Sequence, residues 1–106
     1  MSLPKYQLKA GVSLVGIQLP MRLIIKRVAR VYEGHGKVLV ITAGTEKPDD
    51  HGAGSYHPFG YAIDIRVNYF VDGGESVYKE LQAFYENKAV TVIFHKGHHI
   101  HIHFNA

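Results

Sequence analysis

Apolar positions recur with two different periods along the chain, and the change of period marks the elements. Met21, Ile24, Ile25, Val28, Val31 and Tyr32 fall three and four residues apart, opposite Arg22, Lys26, Arg27 and Arg30. That spacing predicts an amphipathic helix with Pro20 in its first turn and Gly34 and Gly36 at its end. The preceding GVSLVGIQLP (11–20) reads as an irregular lead-in. KVLVIT (37–42) is short, apolar and β-branched, as a buried strand requires.

A long stretch rich in Gly, Pro, Asp and Ser follows, AGTEKPDDHGAGSYHPFG, which predicts a loop of unusual length for a small domain. YAIDIRV (61–67) then alternates. Tyr61, Ile63, Ile65 and Val67 take the core side, and Ala62, Asp64 and Arg66 the other. Asp72, Gly73 and Gly74 form a turn, and Val77, Leu81, Phe84 and Tyr85 line a second amphipathic helix that ends near Asn87. AVTVIF (89–94) and HIHIHF (99–104) are strands joined through Lys96 and Gly97 as an antiparallel hairpin. The order predicts an α+β fold with two helices packed on a small, mainly antiparallel sheet.

Composition narrows the possibilities. The 106 residues, 46% hydrophobic and 11% aromatic, suit one domain spanning 1–106 with a single core. A net charge of +3 is mild, and the one cluster of basic residues has the spacing of a solvated helix face. No nucleic-acid partner is therefore expected. No apolar run reaches the roughly 20 residues of a membrane span, and the start lacks the features of a signal peptide. The expectation is a protein that is cytoplasmic when synthesised, without membrane insertion, and monomeric. With no cysteine, any zinc must be held by histidine and carboxylate.

Five of the eight histidines lie between His95 and His103. Period two puts His99, His101 and His103 on one strand face, opposite Ile100, Ile102 and Phe104. A wet strand face needs polar residues, yet nothing requires histidine three times. His57 alone reads as a loop histidine, and Asp64 alone as an ordinary strand carboxylate. Together with a distant His-x-His strand they read as three ligands of one metal ion with a fourth position open, which is the arrangement of a catalytic site.

HGAGSYHPFGYAIDIR followed by HHIHIHF resembles the zinc metallopeptidases that include D-alanyl-D-alanine carboxypeptidases, phage cell-wall endopeptidases, lysostaphin and the zinc fold of hedgehog signalling domains. The likeness rests on Ser55, His57, Gly60, Ala62 and Asp64 in the pattern SxHxxGxAxD and on the late His-x-His, and is nearest to small single-domain phage peptidases. It implies a hedgehog/D,D-peptidase-like fold and one zinc ion held by His57, Asp64 and His101. The alternate register takes His103 as third ligand and gives His101 the role of base. In the first register His99 or His98 lies beside the attacking water as general base and acid. Ser55, His51 and Arg66 are placed around the substrate, Arg66 as the holder of a carboxylate in place of the arginine that relatives carry soon after the equivalent of ITAG.

The implied activity is hydrolysis of peptide bonds in the stem peptides of peptidoglycan, by an endopeptidase such as an endolysin or by a D,D-carboxypeptidase, with access to the wall after release. A catalytically silent zinc-containing binding module is the alternative within the same fold. Metal sequestration by the histidine strand is a third. These differ in turnover, in metal stoichiometry and in dependence on His57.

Overall fold

A computed structural model describes residues 5–47 and 56–105. Among them the elements run β1 (Tyr6–Leu8), α1 (Leu19–Gly34), β2 (Leu39–Ala43), β3 (Ala62–Arg66), α2 (Glu75–Tyr85), β4 (Val90–His95) and β5 (His99–Phe104). The strands form one mixed sheet in the order β1-β2-β3-β5-β4. Only the β1–β2 pair is parallel, so the class is α+β with a mainly antiparallel sheet, as the periodicity predicts.

The period-two face of each central strand supplies the core. Leu39, Ile41, Ile63, Ile65, Ile100 and Ile102 are fully buried, together with Met21, Val28 and Tyr32 of α1 and Val77 and Leu81 of α2, in one continuous cluster. Burying a side chain of this size stabilises the fold by roughly 1.5–3 kcal/mol, and both helices therefore pack on the same face of the sheet. Tyr32 also anchors α1 to the far end of β3, since its hydroxyl donates to the Arg66 carbonyl at 2.8 Å. No described helix is long and apolar enough to cross a membrane.

Three details depart from the periodicity. β1 falls outside any predicted element; its three residues are all exposed and add an edge to the sheet through β2. Phe84, expected in the core with the rest of its helix face, is 37% exposed and carries the Arg27 guanidinium at 4.4 Å and the Lys88 ammonium at 4.8 Å over its ring. Cation contact with the ring face compensates for that exposure. The side of β3 expected to be polar and wet is buried at Ala62 and Asp64. The basic residues Arg22, Lys26, Arg27 and Arg30 line the exposed side of α1.

Candidate metal centre

The second face of the sheet is built around Asp64. Antiparallel pairing sets Asp64 opposite His101 on β5 and opposite Ala43 on β2, where the register shifts between Ile41 and Ala43. His57 arrives from a turn. Gly60 N–H donates to the His57 carbonyl at 3.1 Å and Tyr61 N–H to the Tyr56 carbonyl at 3.1 Å, so the chain doubles back just before β3.

Gly60 has φ +82°, and a Cβ there would meet the Gly16 carbonyl oxygen at 2.2 Å. Only glycine fits that left-handed, crowded position. Gly44 is equally hemmed in, because a Cβ would come within 2.2 Å of the Ser13 carbonyl oxygen. Two glycines thus bring the backbone close enough for His57 to reach both Gly44 and Asp64.

His57 is buried, and its two nitrogens differ. Nδ1 lies 3.2 Å from the Gly44 carbonyl, which can only accept, so Nδ1 carries the proton. In the neutral imidazole Nε2 is then a lone pair, and it lies 3.3 Å from Asp64 Oδ1, another acceptor. It is the one buried side-chain polar atom among the described residues with no hydrogen-bond partner. His101 Nδ1 reaches the same carboxylate oxygen at 2.9 Å. Two imidazole nitrogens and one carboxylate oxygen therefore converge, with one atom from each within 4.8 Å of the others.

An orphaned buried lone pair facing a carboxylate is costly unless a cation lies between them. A nitrogen–nitrogen–oxygen donor set suits a borderline divalent ion such as zinc. On both counts the residues fit a metal ion. Burial pushes the Asp64 pKa up, but hydrogen bonding, from His101 first, pulls it down further, so the carboxyl is held well below its ordinary range. It is ionised, as a ligand must be.

The geometry also separates the two histidine registers. His101 joins His57 and Asp64, whereas His103 stands behind it, with Nδ1 2.9 Å from His101 Nε2. If His101 offers Nδ1 to an ion, its Nε2–H donates to His103, the outer hydrogen bond that orients a ligating imidazole. His103 is itself stacked on Tyr56, ring centroids 4.3 Å apart. Its pKa is lowered by burial and by the neighbouring His101, which favours the neutral form able to accept that bond.

The other carboxylate oxygen, Oδ2, faces Lys47 Nζ at 3.2 Å and His99 Nε2 at 3.7 Å. His99 is held neutral, its pKa lowered by burial and only partly restored by Asp64. Beside them opens a cleft of about 370 Å³ lined by Asp64, Arg66, His98, His99 and Lys9, among others. The structure thus gathers His98, His99 and Arg66 at the mouth of the centre, with His98 exposed in the turn. His51 and Ser55 lie outside the described residues.

Three participants were not marked by the motif. Lys47 neutralises Asp64 from a loop with no periodicity, Gly44 acts through its carbonyl alone, and Lys9 reaches the cleft from beside the unpredicted β1. A lysine four residues past the strand is the only trace of the first in the sequence. Comparisons with family models, with curated proteins and with solved structures find no match to this chain.

Proposed function

We propose that the chain is a zinc-dependent peptidase of the hedgehog/D,D-peptidase fold that hydrolyses peptide bonds in peptidoglycan stem peptides. The observation that carries this reading is the buried, unpartnered His57 Nε2 converging with Asp64 and His101 beside an open cleft. A structural zinc site would be closed by a fourth protein ligand, whereas three ligands next to a cleft leave room for substrate.

Zinc held by these three residues would polarise a peptide carbonyl and lower the pKa of water at that place. The remaining work falls to the chain. Gly44 and His103 hold the imidazoles of His57 and His101 in a single orientation. Neutral His99 takes a proton from the attacking water and returns it to the leaving amine, at a distance from Asp64 that keeps it beside the centre. Lys47 offsets the second oxygen of Asp64, and Arg66 and Lys9 make the cleft cationic, which suits a peptide bearing a carboxylate near the scissile bond.

The test is release of free amino groups from purified peptidoglycan by zinc-loaded protein, beside His57→Ala. Release by the parent and none by the variant is the expected result; equal release by both overturns the mechanism. The silent-module alternative draws on the histidines that stand at the base positions. It predicts tight zinc binding and wall affinity without any release.

A further inference from the structure

Three histidines that are not ligands of this centre, His95, His98 and His99, cluster at the end of the β4–β5 hairpin. His95 and His99 are the pair that closes it, directly opposite each other on adjacent antiparallel strands. Directly opposed residues project from the same face with their Cβ atoms roughly 4.5–5.5 Å apart. Here the rings overlap, with centroids 4.5 Å apart and planes 30° from parallel. The turn is held tight by the His98 amide, which donates to the His95 carbonyl at 2.9 Å, so a third imidazole belongs to the same turn. His95 and His98 are exposed.

We propose that His95 and His99 form a second, weaker transition-metal site, for a borderline ion such as Zn²⁺, Ni²⁺ or Cu²⁺. Directly opposed on the hairpin, the two imidazoles bring their nitrogens within reach of one ion once the exposed His95 ring turns out of the stack, and nitrogen is the ligand type these ions favour and Mg²⁺ and Ca²⁺ do not. The pair lacks a carboxylate, and Lys96 adjoins it in the turn, so it binds less tightly than the Asp64 centre.

The two sites share one residue. His99 has its Nε2 3.7 Å from Asp64 Oδ2, and an ion that captures His99 removes the group assigned to proton transfer. Excess zinc is therefore an inhibitor of the peptidase; this consequence rests on the proposed function, whereas the binding itself does not.

The test uses the full chain and zinc alone. Calorimetric titration of the metal-free chain should show one tight step and one weaker step, His95→Ala should lose only the weaker, and His57→Ala only the tighter. An unchanged weaker step in His95→Ala overturns the proposal. A missing tight step with an intact, His95-dependent weaker step would instead overturn the Asp64 centre and leave the hairpin site standing. On peptidoglycan, zinc beyond one equivalent should slow the parent but not His95→Ala; equal slowing of both breaks the link between the sites.

Discussion

The two faces of β5 solve opposite problems with the same six residues. On one face Ile100 and Ile102 are wholly buried against helices and neighbouring isoleucines, and nothing there needs a particular partner. On the other, His99, His101 and His103 each face a specific atom of another side chain within 4 Å or a ring within 5 Å. Apolar packing is non-directional and scales with area, whereas the polar face is stabilised only when donors, acceptors and charges match. The first face therefore sets stability and the second a specific arrangement of donors, acceptors and charge.

That division can be broken most severely at His57. His57→Ala is expected to abolish tight zinc binding and peptidase activity while lowering metal-free thermal stability less than a core truncation such as Ile102→Ala, because the cavity and the lost Gly44 hydrogen bond are partly offset by removal of the orphaned nitrogen. Metal analysis and a melting curve on the same sample check both halves. A large loss of metal-free stability would mean that the polar face also holds the fold.

Ile102→Ala is the converse. It should cost about 2–5 kcal/mol in denaturant unfolding, the usual range for a buried large-to-small change. The folded fraction should still bind zinc.

A smaller effect is expected at His103. Replacing it by alanine removes the acceptor behind His101 and should weaken zinc affinity by about 10–100-fold, with the ligand set unchanged. His103→Gln, which keeps an acceptor, should recover part of the loss. If His103 were itself the third ligand, both variants would bind one donor fewer, visible in the absorption spectrum of the cobalt-substituted protein.

The smallest effect belongs to the helical side. Asp72, two residues before the N-cap Gly74 of α2, accepts from the Gly74 and Ser76 amides at 3.0 and 2.9 Å and so satisfies an amide of the helix's first turn. Hydrogen bonds from Ser76, by its side chain and then its amide, and from the Gly74 amide lower its pKa to about 2. A carboxyl with a depressed folded pKa contributes stability that is full above its unfolded value, near 4, and is lost as pH falls towards 2. The stability difference between the parent and Asp72→Asn should accordingly shrink over that interval, as acid titrations of the two would record. A difference that stayed constant down to pH 2 would show that Asp72 does not hold the first turn of α2.

The sequence made the apolar side of this comparison legible in detail, since period alone locates α1, α2, β3 and β5 to within about two residues. The polar side was legible as a set of residue types and not as a geometry. HHIHIHF has the same period whichever pair is chosen, and only the pairing of Asp64 with His101 distinguishes the registers. The contributions of Gly44 and Lys47 depend on contacts across the sheet that leave no pattern along the chain. β1 escaped because three exposed residues have no period to detect. Phe84 was misplaced because helical spacing cannot distinguish a ring packed in the core from one covered by two cations.

The turn that delivers His57 also grips the start of α1. Gln18 N–H donates to the Gly60 carbonyl at 2.9 Å, just where the Gly60 Cα presses on Gly16. Any opening of the 57–60 turn must break that bond, so the first turn of the helix and the metal loop belong to one cooperative unit. An ion that binds only the closed turn stabilises both by mass action. The Gln18 amide should therefore exchange its hydrogen more slowly as zinc is added, giving a gauge of occupancy that needs no substrate.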